Sequence, residues 1–340
     1  MMAIAAQREP VIVVRNLSVE YLTPRGVVKA VRNVNLEVFK GETLFIVGES
    51  GSGKSTLGFA LLNLVPQPGY VKEGEVVYRV DGKEVNLMKL PPDEQRKFRW
   101  KHASMVFQAA LNSLNPVMRV WDQLYDTIKA HDRNVSREEA YEKVRNLLSL
   151  VRLDADRVLR AYPHQLSGGM RQRVMIAMAL LLDPHIVILD EPTTALDLLT
   201  QKNIIEVLKN IKSKLHTTMI FITHDLSLAA ELADRVAVMY AGRIVELGDV
   251  YEIFYRPKHP YTYALMKTVP KLTSVDEELY PIPGSPPDMV NMPPGCKFHP
   301  RCPYSADVCK QVEPLDEWVA SGHLVACHLW KELKLEVRAP

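Results

Sequence analysis

The stretch Gly48-Glu49-Ser50-Gly51-Ser52-Gly53-Lys54-Ser55, followed by Thr56, decides the fold of this chain. It reads G-x-x-x-x-G-K-[ST], the spacing of a phosphate-binding loop. Before it runs Thr43-Leu44-Phe45-Ile46-Val47, a short apolar stretch of the kind that forms a buried strand. After it, Leu57-Gly58-Phe59-Ala60-Leu61-Leu62 opens a helix. The glycines let backbone N–H groups turn inward around a polyphosphate, and the helix N-terminus adds partial positive charge. In this reading Lys54 reaches the β- and γ-phosphates and the Ser55 hydroxyl goes to Mg²⁺. A plain Gly/Ser surface loop would need neither the Lys-Ser pair at its end nor a strand before it.

The 340 residues allow two domains, one of them with a substantial core. A composition of 47% hydrophobic and 24% charged residues is ordinary for a globular chain, and a net charge of +2 argues neither for nor against nucleic acid. The longest uninterrupted apolar run, Val174 to Leu182, is nine residues, far short of a membrane span. Met1 to Pro10 lack a basic segment followed by a long apolar one, so no secretory signal is expected. The expectation is an intracellular chain that meets membranes only through partners.

Val11 to Tyr21 and Val27 to Phe39 alternate apolar and polar positions around Thr-Pro-Arg-Gly, which predicts antiparallel strands joined by a turn. Tyr21, at the end of the first, is either a sheet-surface aromatic or a platform for an adenine ring. Glu73 to Val85 alternates again, with Asp81-Gly82 as a turn, and Ser104 to Phe107 is a short strand ending at Gln108. Ala109 to Met118 is loop-like. Helical patterning follows from about Val120 to Leu153, with a capping box at Ser136-Arg137-Glu138-Glu139, and residues 115 to 165 are expected to be a helical insertion.

Leu166-Ser167-Gly168-Gly169-Met170 leads into a strongly apolar helix, which places Ser-Gly-Gly at a helix N-terminus. His185 to Leu189 is a continuous apolar run closed by Asp190 and Glu191, as expected of a parallel strand covered on both faces. Carboxylates at the C-terminal end of such a strand lie where ligands bind in open α/β sheets. A helix from about Leu198 to Lys214 follows, then a strand from Thr218 to Thr223 ending in His224, and a strand pair about Ala241-Gly242. Lys54, Asp190 and His224 would thus share one end of one sheet.

From about Tyr255 to Pro300 the chain is crowded with proline, which forbids long helices and marks a linker or an extended appendage. All four cysteines, Cys296, Cys302, Cys309 and Cys327, fall in the last fifth of the chain, spaced C-x5-C-x6-C-x17-C. The spacing has neither the C-x-x-C pairs of zinc ribbons nor the C-x2-C-x2-C run of ferredoxins. Four clustered thiols in a reducing compartment nonetheless suggest a metal. Zn²⁺, with His299, His323 and His328 as possible substitute ligands, and unligated cysteines are the alternatives to an iron–sulfur cluster.

The ordered motifs resemble the ATP-binding subunits of ABC transporters over roughly residues 10 to 255. Gly48–Ser55 matches Walker A, Gln108 the Q-loop, Leu166–Met170 the signature, Ile186–Asp190 with Glu191 Walker B and the catalytic glutamate, Ala195-Leu196-Asp197 the D-loop and His224 the switch histidine. Phe107-Gln108 with Ser113 to Val117, Tyr162-Pro163-His164-Gln165, His259-Pro260-Tyr261-Thr262 and Pro294 to Pro303 are similar to the oligopeptide/dipeptide importer branch. The resemblance implies a P-loop NTPase of mixed β-sheet with an antiparallel β subdomain, a helical insertion and a small Pro/Cys-rich C-terminal appendage. The boundaries expected are an ATPase domain over 1–255 and an appendage over 256–340.

It further implies that Tyr21, Gly48, Ser50, Gly51, Ser52, Gly53, Lys54, Ser55 and Thr56 hold ATP, and that Ser55, Gln108 and Asp190 hold Mg²⁺. Glu191 would polarise the attacking water and His224 would contact the γ-phosphate, while Ser167, Gly168, Gly169 and Asp197 would serve a nucleotide on a partner subunit. In this branch Cys296, Cys302, Cys309 and Cys327 would carry a [4Fe–4S] cluster that staples the appendage. The implied partners are a second ATPase (an F-type relative or a second copy), two transmembrane permease subunits docked around Gln108 to Arg119 and the helical insertion, and indirectly an extracytoplasmic binding protein, at the cytoplasmic face of the membrane. Peptides are the leading cargo, with oligosaccharides or nickel complexes as alternatives. A soluble ATPase acting on DNA or ribosomes is disfavoured: only 111 residues separate Ser55 from Ser167, no sustained heptad occurs, and one ATPase domain is present, so no nucleic-acid partner is expected. A redox sensor gated by the cysteines is a third class.

Overall fold

A computed structural model describes residues 9–108, 113–194, 196–268 and 282–337. Part of the expected loop at Ala109 to Met118, Ala195 of the Ala-Leu-Asp motif, and Pro270 and Pro281 lie outside the described residues. The strands are β1 (Pro10–Thr23), β2 (Gly26–Phe39), β3 (Thr43–Val47), β4 (Gly69–Val80), β5 (Lys83–Asn86), β6 (Ala103–Val106), β7 (Ile186–Asp190), β8 (Thr218–Thr223), β9 (Arg235–Tyr240), β10 (Arg243–Asp249), β11 (Glu317–Ala320) and β12 (His323–Val325). The helices are α1 (Lys54–Leu61), α2 (Pro92–Lys101), α3 (Val120–His131), α4 (Arg137–Leu150), α5 (Ala155–Arg160) and α6 (Gly168–Ala179). They continue with α7 (Leu198–Leu215), α8 (Leu226–Leu232), α9 (Val250–Tyr255), α10 (Pro260–Met266) and α11 (Asp307–Gln311). No helix among the described residues is long and apolar enough to cross a membrane.

The chain forms two compact units. One gathers Pro10–Val38, Glu42–Arg79 and Ile222–Pro340. Its core is the strand order β11-β12-β10-β9-β3, next to a second sheet in which β1 lies between β2 and β4. β1 and β4 run antiparallel from Ile12↔Tyr78 to Tyr21↔Gly69. Every residue of β3 is buried, as its unbroken apolar run requires, and it pairs in parallel with β9 from Leu44↔Arg235 to Val47↔Val238. β9 returns as β10 through Ala241 and Gly242, both at positive φ (47° and 79°), the geometry of a two-residue hairpin turn.

The other unit is built mainly from Val80–Phe221. β6 and β7 pair in parallel, Ala103↔Ile186 to Val106↔Leu189, and both are wholly buried. α4 begins with the expected capping box: Ser136 Oγ accepts from Glu139 N at 3.1 Å, and Glu139 Oε2 accepts from Ser136 N at 3.0 Å. Ala140, Val144, Leu147 and Leu148 form its buried stripe.

The last part of the chain departs from its proline-based reading. Short helices appear where prolines allow them, α10 with Pro260 in its first turn. Beyond Pro300, however, β11 and β12 extend the sheet, with Glu246 of β10 opposite Val325. At four and three residues, these strands are too short to show periodicity. A buried polar pair fixes them instead: His323 Nε2 lies 2.8 Å from Glu246 Oε1, and Glu246 also accepts from the backbone N–H groups of Lys258 and His259.

Candidate functional site

β3 delivers the chain into Gly48 and α1 takes it up at Lys54. Between them the backbone folds on itself, with Ser52 N donating to Glu49 O (3.2 Å) and Gly242 N donating to Ser52 O (2.9 Å). Two positions admit only glycine. A Cβ on Gly48 (φ 149°) would lie 2.2 Å from Met239 O, and one on Gly53 (φ 100°) would lie 2.1 Å from Ala30 O. Ser50 and Gly51 form the exposed tip, while Ser52 is buried and its Oγ has no hydrogen-bond partner among the described residues. The Lys54 ammonium is buried and donates to Gly48 O (2.8 Å) and Glu49 O (2.9 Å). The loop thus brings together its backbone N–H groups, the Lys54 ammonium and the Ser55 and Thr56 hydroxyls, the donor set a Mg-polyphosphate needs.

Tyr21 reaches this loop from the second sheet: its hydroxyl is 3.5 Å from Thr56 Oγ1. Its ring lies against Gly69, where a Cβ would meet Tyr21 Cε1 at 2.5 Å, and the side chain is half-exposed. His224 belongs to the same unit; it is exposed at the end of β8, and Asp225 behind it caps α8.

The remaining expected site residues lie in the other unit. Asp190 ends β7 fully buried. Glu191 follows in a left-handed conformation (φ 51°), uncommon for a residue other than glycine and of the kind that gathers at functional sites. Thr194 donates its hydroxyl to Glu191 Oε2 at 2.8 Å and its N–H to Glu191 O at 3.2 Å, fixing the carboxylate from below. Gln108 is exposed after β6. Ser167 is the exposed N-cap of α6, and Gly169 packs so closely on Thr200 that a Cβ would meet its Cγ2 at 2.4 Å. Thr200 is in turn held by Asp197, which caps α7 and accepts from Thr200 N (3.0 Å) and Oγ1 (2.7 Å). Those hydrogen bonds from Thr200 hold the Asp197 carboxyl below the usual range. Gly169 of the signature and Asp197 are therefore joined through Thr200.

A family profile described as "ABC transporter" matches residues 31–194, and one described as "Oligopeptide/dipeptide transporter, C-terminal region" matches residues 245–309. The dipeptide transport ATP-binding protein DppD of Caldanaerobacter subterraneus subsp. tengcongensis is 46% identical over 95% of this chain and 98% of its own length. The oligopeptide transport ATP-binding protein OppD of Escherichia coli is 44% identical over 94% of each chain. The chain belongs to the dipeptide/oligopeptide ABC-transporter ATP-binding subunits. A solved dimeric bacterial ABC transporter cassette, MJ0796, is 32% identical, with a TM-score of 0.60 over 70% of this chain and 98% of that one. The fold is that of an ABC ATPase, with ATP and Mg²⁺ as its cofactors, and it forms part of a membrane transporter.

One expectation is overturned. Cys296, Cys302, Cys309 and Cys327 do not make the cage for an iron–sulfur cluster. Among the described residues, three or more metal-ligand atoms converge within 4.8 Å at Asp81, His102 and His185, and no such group includes a cysteine. All four thiols are free, and burial pushes Cys302 up to about 11 and Cys327 up to about 12, favouring the neutral form. The candidate substitute ligands are engaged elsewhere: His299 Nδ1 with Cys296 O, His323 with Glu246, and His328 with Val312 O. No three of the sulfur atoms lie within 4.8 Å of one another. Guanidinium pairs fasten the appendage instead: Arg32 to Glu313 (2.9 and 3.2 Å), Arg243 to Asp316 (2.6 Å) and Arg301 to Glu49 (2.7 and 2.9 Å).

The pairing of Arg301 with Glu49 is not legible in the sequence. Each residue lies in a marked stretch, Pro294 to Pro303 and Gly48 to Ser55, but 252 residues separate them and no local pattern joins the two. Tyr261, in the marked stretch His259 to Thr262, likewise meets a partner that no local pattern names: its hydroxyl accepts from Glu49 N at 2.9 Å. His259, fully buried and pushed down to about 3 by desolvation, stays neutral and caps α10 by accepting from Tyr261 N (3.0 Å). That cap aims Tyr261 at the loop.

Proposed function

We propose that this chain is the ATP-hydrolysing subunit that energises import of dipeptides and oligopeptides. One observation carries the cargo class: likeness to DppD and OppD runs through the C-terminal segment as well as the cassette, covering 94–95% of the chain. In this reading residues 1–255 are the ATPase domain, with its helical insertion at about 115–165, and 256–340 are the appendage. Tyr21 stacks on the adenine, and Gly48 with Ser50 through Thr56 cradles the phosphates. Ser55, Asp190 and Gln108 hold Mg²⁺, which when bound neutralises phosphate charge. Glu191 draws the proton of the attacking water and His224 holds the γ-phosphate; positioning and charge dominate such chemistry.

Ser167, Gly168 and Gly169 act on the nucleotide of a second ATPase subunit, and Asp197 braces them through Thr200. The exposed positions of Ser167 (at a helix N-terminus), Leu198 (82%) and Leu199 (77%) support a partner there. Two permease subunits dock near Gln108 to Arg119, where Val117 is 79% exposed, and they bring the chain to the cytoplasmic face of the membrane; a binding protein outside feeds them. The test is purification from native membranes under mild detergent. Two permease subunits and a second ABC ATPase should co-purify. Recovery of the chain without any membrane protein would overturn the assignment.

A further inference from the structure

Glu49 is the second residue of the phosphate loop, and three of its groups are engaged at once. Its N–H goes to Tyr261 Oη (2.9 Å), its carbonyl accepts from Lys54 Nζ (2.9 Å), and its carboxylate takes both arms of Arg301 (2.7 and 2.9 Å). Arg301 is spent on this arrangement. Nε donates to Pro283 O (2.7 Å), Nη1 also meets Tyr240 Oη (3.3 Å), and Nη2 reaches Ile282 O (3.5 Å). Its side chain is 5% exposed against 24% for Glu49, and it lies over the rings of Tyr240 and Phe298. Those rings pack with Tyr261 at centroid separations of 4.5 to 5.3 Å, so guanidinium and phenol are set by one aromatic cluster.

An acidic side chain at this place is a problem in electrostatics. The loop exists to concentrate positive potential on a polyphosphate, and an unpaired carboxylate beside it would oppose that. A bidentate arginine both cancels the charge and fixes its direction, which a lysine could not do as well. The phenol of Tyr261 fixes the adjacent peptide plane, and the ammonium that serves the phosphates hangs from the carbonyl of the same residue. We propose that Arg301 and Tyr261 are positioning residues for the phosphate loop: they hold Glu49 and its charge away from the polyphosphate, so the C-terminal segment sets nucleotide affinity. A partner or modification that displaced residues 282–301 would then be felt as weaker ATP binding. This rests on the loop at Gly48 holding the phosphates.

The test is equilibrium binding of ATP with Mg²⁺ to the full chain and three variants. Arg301→Ala should weaken ATP at least tenfold. The double variant E49Q/R301A should return to within about threefold of the wild type, because the stranded charge has gone. Tyr261→Phe keeps the ring and loses the hydroxyl; it should weaken ATP three- to tenfold with an unchanged melting temperature, and it decides the matter if Arg301→Ala does not fold. An R301A chain that binds like the wild type, a double variant no better than R301A, or a Y261F chain of wild-type affinity overturns the proposal. A wild-type chain that fails to bind ATP refutes the reading of the loop itself.

Discussion

Replacing Glu191 by glutamine is expected to cut ATP turnover by about 100-fold or more while leaving ATP affinity within about threefold, as removal of a general base does. Glutamine keeps the size and one acceptor oxygen, so Thr194 can still donate to it, as it does to Glu191 Oε2 at 2.8 Å. What it loses is the charge that draws a proton from water. The strained backbone at φ 51° is retained, since the two side chains have the same Cβ demands. Phosphate release under saturating ATP gives kcat, and equilibrium titration gives affinity. Hydrolysis within a few-fold of the wild type would refute the role of Glu191, and lost affinity would place it in binding instead.

Replacing Gly53 by alanine is expected to abolish ATP binding at micromolar nucleotide and to lower the melting temperature by roughly 5–10 °C. The methyl group would be placed 2.1 Å from the backbone oxygen of Ala30, which no side-chain rotation can relieve. At φ 100° an L-residue is also strained, at a cost of about 1–3 kcal/mol before any clash. The loop must therefore move, and the carbonyl of Gly53, which accepts from Leu57 N at 2.9 Å to start α1, moves with it. Nucleotide titration and thermal melting measure the two effects. An alanine variant with wild-type affinity would show that the loop does not cradle phosphate.

The fold was legible where sequence pattern and burial coincide. β3 and β7 read as unbroken apolar runs because they are covered on both faces, and both are wholly buried. The capping box at Ser136 and the turn at Ala241-Gly242 could be read because their chemistry is local. The phosphate loop, Glu191 and Ser167 are legible for the same reason: each is a short motif placed at the end of a strand or helix. What escaped was set by distance along the chain. Arg301 meets Glu49 across 252 residues, and β12 finds β10 through a buried His323–Glu246 pair that no period foretells. The cysteines err in the opposite sense: they are close in sequence, yet no three of their sulfur atoms lie within 4.8 Å of one another.

The most direct test of ATP-driven import is uptake of a labelled dipeptide into vesicles carrying the co-purified complex with its binding protein. The compartment that holds this chain is loaded with ATP or with none. Uptake should require ATP and should vanish when the chain carries Glu191→Gln. Equal uptake with and without ATP, or with the wild-type and Glu191→Gln chains, would contradict the account.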